Sequence, residues 1–294
     1  MKAQTARRWL RHTHLTQGLI LGLLGSAGLG STPASAQWVE APGSGWMHLA
    51  AFHTDTRTRF DFRGDKEPIF ADGHIQNLSL FLTSAVGLGA GADLWAEVPI
   101  HRLAFTDAIG RREKTGLGDP AFHLRWSPSA WLPDALPPLA VRGGLRLPVG
   151  DFPVEAEVIP LGEGQRDWEL LVETGASFYP RPIYAQLWMG HRWRERNETS
   201  LFKPGDEWFF LSAVGASRGK LGGKITLEGW QGGTPFQENI PISSARREML
   251  QALVTGSVSL GGGALEAGAR IPLAGKNLPA GPGLILGYFR TFHR

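Results

Sequence analysis

Two pairs of charged residues with one spacing offer the first chemistry in this chain. Arg142 and Arg146 lie four apart in Leu139-Ala-Val-Arg-Gly-Gly-Leu-Arg-Leu, and Glu169 and Glu173 lie four apart in Asp167-Trp-Glu-Leu-Leu-Val-Glu. Strand side chains alternate faces, so each pair shares one face of a short strand, and Leu139, Val141, Leu145 and Leu147 take the opposite face of the first. Two carboxylates on one face suggest glycoside hydrolysis. The same carboxylates beside two guanidinium groups suggest cross-strand ion pairs, and a charged wall is the commoner use of this spacing. Applied to the other segments of alternating polarity, the same reading collects Glu97, Arg125, Arg192, Arg194, Lys224, Glu228, Glu266 and Arg270, with His101, His123, Gln186 and Thr226. A wall carrying both signs of charge could line a path for a polar or amphipathic solute. It could equally close on itself as a ladder of ion pairs, and both readings stand at this point.

Other chemistry finds less support. Of nine His residues two lie in the first 36, and none of the rest sits in a Ser and Asn pattern suited to nucleophilic catalysis. His191 is expected on the apolar side, near a rim. No His or Cys cluster has metal-ligand spacing. Gly116-Leu-Gly118 and Gly162-Glu-Gly164 do not continue into a phosphate-binding loop and precede strands. The reading therefore includes no catalytic residue, no cofactor and no metal.

The elements that would hold the charged face are short and numerous. Glycine and proline recur throughout, and what repeats between them is a segment of alternating polarity, as in a transmembrane β-barrel. Twelve such segments are expected, at residues 46–54, 75–88, 92–104, 119–126, 139–147, 168–179, 183–194, 207–217, 223–230, 248–258, 265–273 and 283–292. An even number returns both termini to one side. The links after the second, sixth, eighth and tenth segments are short. Those after the first, third, fifth, seventh and ninth are longer, as between the two sides of an outer-membrane barrel. Residues 127–138 and 274–282 break this alternation. Trp168, Trp193, Trp208, Phe209 and Phe210 are expected at the outer strand ends, and Trp46, Trp126, Phe178, Tyr179 and Tyr184 at the inner ends, as interfacial girdles. A soluble β-sandwich is the bland alternative, but it would have to bury the charged face. The fold class expected is all-β, a closed antiparallel transmembrane β-barrel of about twelve strands.

The first residues read as an export signal. Lys2, Arg7, Arg8 and Arg11 precede an apolar run from Leu15 to Gly30, and Ala34-Ser-Ala36 supplies small residues for cleavage after Ala36. Without residues 1–36 the chain keeps 26 Lys and Arg against 27 Asp and Glu, so its basic excess belongs to the leader and nucleic-acid binding loses its support. The absence of cysteine argues against a disulfide-stapled secreted domain. The expected division is a signal peptide at 1–36, a periplasmic N-terminal segment at 37–45 and an outer-membrane barrel at 46–294.

Thr115-Gly-Leu-Gly-Asp119, Leu145-Arg-Leu-Pro-Val-Gly-Asp151 and Leu161-Gly-Glu-Gly164 followed by Asp167-Trp-Glu-Leu complete the sequence signals. Together they resemble the outer-membrane family named after the meta-cleavage pathway of phenol degradation. Its members show a Thr-Gly-Leu-Gly-Asp start, a Lys-Leu-Pro-Thr-Gly-Asp-like strand end, a Leu-Gly-x-Gly loop and a strand entered through Asp. Pro120 and residues 148–152 depart from that pattern. The resemblance implies a β-barrel that aids uptake of hydrophobic or aromatic compounds, and it carries over no catalytic residue. The function expected is an outer-membrane channel for diffusion of a small solute. Its partners would be outer-membrane lipid, that solute and the barrel-assembly machinery. The alternative is a non-conducting barrel acting through outer loops, chiefly 55–74, with Arg57, Arg59 and Lys66, and 151–167.

Overall fold

A strand with one apolar and one polar face needs neighbours on both edges and different surroundings on its two faces. The computed structural model describes residues 39–128, 137–150 and 161–293, and it meets both needs with one closed antiparallel sheet. The strands are β1 Gly45–Thr56, β2 His74–Gly89, β3 Ala92–Asp107, β4 in two pieces, Gly110–Leu117 and Ala121–Trp126, β5 Leu139–Arg146 and β6 Asp167–Ser177. They continue with β7 Ile183–Arg194, β8 Glu207–Arg218, β9 Leu221–Gly232, β10 Glu248–Leu260, β11 Gly263–Lys276 and β12 Gly283–Phe292. Each pairs with the next, and β12 returns to β1 from Gly45↔Phe292 to Thr54↔Gly283. Closure satisfies the backbone within the ring, which hydrocarbon surroundings demand at several kcal/mol per unpaired group.

The outer face carries Leu78, Leu80 and Leu82 on β2, Leu170 and Val172 on β6, Ile225 and Leu227 on β9, and Leu284 and Leu286 on β12, all exposed. The alternate residues of β2, Asn77, Ser79, Phe81 and Thr83, are buried inside. So continuous an apolar exterior is what a lipid-facing surface requires.

The two ends of the barrel differ. At one, here the turn end, neighbouring strands join through residues 90–91, 178–182, 219–220 and 261–262. Gly261 and Gly262 have φ of 60° and 80°, the consecutive left-handed pair of a type I′ turn, whose twist matches that of its strands. The opposite loop end carries two small ribbons. One joins Thr58–Phe60 to Lys66–Pro68 and Leu278–Pro279, and the other joins Phe202–Lys203, Phe236–Gln237 and Ile240–Pro241. The expected signal peptide with its cut after Ala36 lies outside the described residues, as do 129–136 and 151–160 of two expected connections.

Three details depart from the sequence expectations. The third link is not a long loop: β3 runs to Asp107 and returns from Gly110. Asp107 Oδ1 accepts the N–H of Ile109 at 3.0 Å, and the hairpin is tied by Arg112 to Asp107 and Arg102 to Glu113, each at 2.6 Å. Beyond the apolar band these strands pair through polar side chains, so alternating hydrophobicity does not report them. Secondly, residues 118–120 interrupt β4 where one strand beginning at 119 was expected. Thirdly, Trp46 and Phe209 are buried inside the barrel, and Tyr184 packs inward against Gly215, so none of the three belongs to a girdle. Trp208 and Phe209 are consecutive and must face opposite sides; Trp208 is the exposed one, as are Trp168, Trp193 and Trp126. The His191 ring lies 4.6 Å from both Trp193 and Trp208 on that outer face.

Candidate functional site

The interior holds a network of ion pairs along one wall. Near the turn end Arg125 on β4 meets Asp93 on β3 at 2.5 Å and Glu173 on β6 at 3.5 Å, and Arg142 on β5 meets Glu173 at 2.8 Å. Register explains the reach: Ala140 opposes Glu173, so Arg142 and Glu173 are diagonal neighbours on the inner face. Toward the loop end Arg146 lies 3.8 Å from Glu97 and 3.9 Å from Glu169. Arg192 then binds Glu169 and Glu207, both at 2.7 Å. Arg194 follows with Glu207 at 3.1 Å, Asp167 at 3.4 Å and Glu163. Arg247 closes the row, 3.8 Å from Glu163. The arginines thus run from one mouth to the other across β4 to β8 and the loop before β10.

Aromatic rings cross the interior at the turn-end side. The Trp46 ring on β1 meets Trp95 on β3 edge-on, centroids 4.9 Å apart, and Trp95 meets Trp188 on β7 at 6.2 Å. In a ring of twelve strands β1 and β7 are opposite, so this chain of indoles spans the lumen. The Arg142 guanidinium lies 4.5 Å from both the Trp95 and Trp188 rings, and that of Arg125 4.7 Å from Trp95. A desolvated cation over indole faces is a stabilising contact.

The facing wall is more apolar. Ala50, Phe52, Phe81, Leu253 and Ile285 form one buried cluster from β1, β2, β10 and β12. Its charges are few: Lys224 lies 3.6 Å from Glu266, Glu228 accepts from Gln251 at 2.8 Å, and Arg270 donates to Thr54 at 2.6 Å.

All twelve residues singled out as lumen candidates are therefore inside, ten of them bonded to partners among themselves or to Asp93, Asp167, Glu207, Glu163 and His123. The other two, Glu228 and Arg270, bind neutral Gln251 and Thr54. The Glu169 and Glu173 carboxylates are each held by arginine, which removes the unequal environments a glycosidase pair needs. Sequence reading missed Asp93, Trp95, Trp188 and Glu207, although the first two share the alternation of Glu97 and His101 and could have been found by it. Glu163 and Arg247 lie in connections, where no periodicity marks them.

Strand pairing also sets Ser79 opposite His101, a contact that no local pattern announces. The Ser79 hydroxyl lies 2.7 Å from His101 Nδ1 and donates to Asn77 Oδ1 at 2.9 Å. With its proton given to Asn77, Ser79 accepts from the imidazole, the reverse of the direction a general base requires.

Two structures border this interior. Residues 39–44 lie in the turn-end mouth: Val39 is buried, Glu40 N–H donates to Asp93 Oδ2 at 3.1 Å, and Gly43 N–H donates to the Gly87 carbonyl at 2.9 Å. A Cβ at Gly87 would stand 2.1 Å from the Ala41 carbonyl oxygen, so only glycine lets the segment pass. Burial pushes the Glu40 carboxyl up, against the pull of Arg125. The three motifs that carry the family resemblance meet at the break in β4. There the Asp119 carboxylate accepts N–H groups from Gly150 at 2.8 Å and Glu163 at 2.6 Å, and Arg146 donates to the Asp119 carbonyl at 3.1 Å.

No protein-family model and no curated protein sequence matches the chain. Among solved structures it is similar to an outer membrane channel from Pseudomonas putida F1, with a TM-score of 0.72 and 17% identity over 90% of this chain and 100% of that one. The β domain of the Bordetella autotransporter BrkA gives a TM-score of 0.47 at 14% identity, covering 86% of this chain and 100% of that chain. The CymD monoaromatic hydrocarbon channel gives a TM-score of 0.44 at 8% identity, covering 87% of this chain and 90% of that chain. At such identities the first likeness is one of fold: this chain has the closed antiparallel architecture of an outer-membrane barrel.

Proposed function

We propose that the chain is a passive outer-membrane channel for a small solute. The observation that carries this reading is the inversion of faces: an apolar exterior encloses a wall of arginines and carboxylates running from mouth to mouth. The fold shared with the Pseudomonas putida channel supports it. In this reading the leader ends at Ala36 and residues 37–45 are a periplasmic segment set in the turn-end mouth. The turn end faces the periplasm and the loops face outside. Outer-membrane lipid, the solute and the barrel-assembly machinery are its partners. Membership of the family named after the phenol meta-cleavage pathway, and with it an aromatic or hydrophobic solute, rests on the residues gathered at Asp119. The twelve inward charges line the route.

One observation favours a second reading. The indole chain of Trp46, Trp95 and Trp188 crosses the lumen, as a non-conducting barrel working through loops 55–74 and 151–167 would have it. Planar-bilayer conductance and liposome flux separate the two. A channel conducts as wild type or gains conductance in Trp46→Ala, which removes the first ring of the chain. A folded barrel silent in both forms would overturn the channel reading.

A further inference from the structure

The interior is sided. Arginines of β4, β5 and β7 and carboxylates of β6 and β8 form one wall, and the apolar cluster of Phe52, Phe81, Leu253 and Ile285 faces it from β1, β2, β10 and β12. A solute that touches both walls must itself be two-sided, with an apolar body and a polar group. The sign of that group follows from which lumen atoms lack hydrogen-bond partners. Trp95 and Trp188 are 4% and 1% exposed, and neither indole N–H has an acceptor among the described residues. Arg146 Nε, Arg192 Nη2 and Arg270 Nε are in the same condition. The carboxylate oxygens without a hydrogen bond, Glu173 Oε1 and Asp167 Oδ2, already lie 2.8 and 3.4 Å from Arg142 and Arg194. With the Gln165 amide oxygen as the neutral acceptor in that condition, donors still outnumber acceptors, and an indole N–H cannot accept.

The indole faces add a second argument. Two tryptophans around a lumen would ordinarily suit an organic cation. Here the Arg142 guanidinium already sits 4.5 Å from both rings, held by Glu173. A cationic solute finds its seat taken, whereas an acceptor finds two free indole N–H groups beside a guanidinium that Glu173 holds from one side.

Building on the channel reading, we propose that the node formed by Trp95, Trp188 and Arg142 binds a small aromatic anion. Its acid group accepts from the two indoles and Arg142, and its ring lies against the neighbouring aromatic side chains of Trp46 and Phe289.

Three probes with one ring test this on the full-length barrel in detergent: benzoate, benzylamine and benzyl alcohol, followed by calorimetric titration. Benzoate binds saturably and at least about tenfold more tightly than the other two. Trp95→Phe and Trp188→Phe keep a ring and lose the N–H, and each weakens benzoate about tenfold, the scale of one hydrogen bond to a charged group. Trp168→Phe, on the outer face, leaves benzoate binding unchanged. Equal binding of benzylamine or benzyl alcohol overturns the proposal without using any variant, and so does wild-type benzoate affinity in both folded phenylalanine variants. Liposome flux separates the two levels of inference. Equal flux of all three probes without saturable binding keeps the channel and removes the anion site, whereas benzoate binding without flux keeps the site and removes the channel.

Discussion

Replacing Glu173 by methionine should cost the barrel about 3–5 kcal/mol, and the loss should depend on Arg142. Glu173 is fully buried and binds Arg142 at 2.8 Å and Arg125 at 3.5 Å. At 2.8 Å and an effective dielectric of about 20 the gross attraction to Arg142 is about 6 kcal/mol. Burial of both ions offsets much of it, so the pair itself is worth far less than the cost of orphaning one member. Arg125 keeps Asp93 at 2.5 Å after the substitution, whereas Arg142 is left with two tryptophan faces and no ion-pair partner among the described residues. Glu173→Met combined with Arg142→Met removes both charges and should lose only about 1 kcal/mol or less. Urea unfolding of barrels refolded in lipid vesicles, followed by tryptophan emission, measures all four members of the cycle. If Glu173→Met costs the same with methionine at 142 as with arginine, the two side chains are uncoupled and the ladder described above is not one.

Gly87→Val should expel residues 39–44 from the turn-end mouth, because its Cβ would meet the Ala41 and Glu40 carbonyl oxygens at 2.1 and 2.4 Å. A cysteine placed at Val39 should then react with a soluble maleimide many times faster than in the parent barrel. Asp119→Ala leaves the N–H groups of Gly150 and Glu163 without their acceptor, a loss of about 1–3 kcal/mol that hydrogen exchange should locate at those two amides. At the loop-end rim, hydrogen bonds from the Trp168 indole and from Arg166 hold the Glu195 carboxyl below the usual range. A depressed carboxyl stabilises the fold above its unfolded pKa and loses that contribution as pH falls through the folded one. Trp168→Phe should therefore raise the Glu195 pKa toward its ordinary value, read by NMR titration, and flatten the acid limb of stability.

Alternation marked the strands of the apolar band, since a period of two with turns between is a local property that each segment carries for itself. It sorted Arg142, Arg146, Glu169 and Glu173 onto the inner face, and the tight turns after β2, β6, β8 and β10 followed from their short links. Alternation says which face a side chain takes, and nothing about what lies across the lumen. Whether the charges would meet a solute or one another depended on register, which sets Ala140 opposite Glu173 and Ser79 opposite His101. The chain of Trp46, Trp95 and Trp188 depended on closure, which alone brings β1, β3 and β7 within reach across the barrel. Glu163 and Arg247 join the ladder from connections without periodicity. The partners of an inward side chain come from strands far away in sequence, and only the closed tertiary structure chooses them.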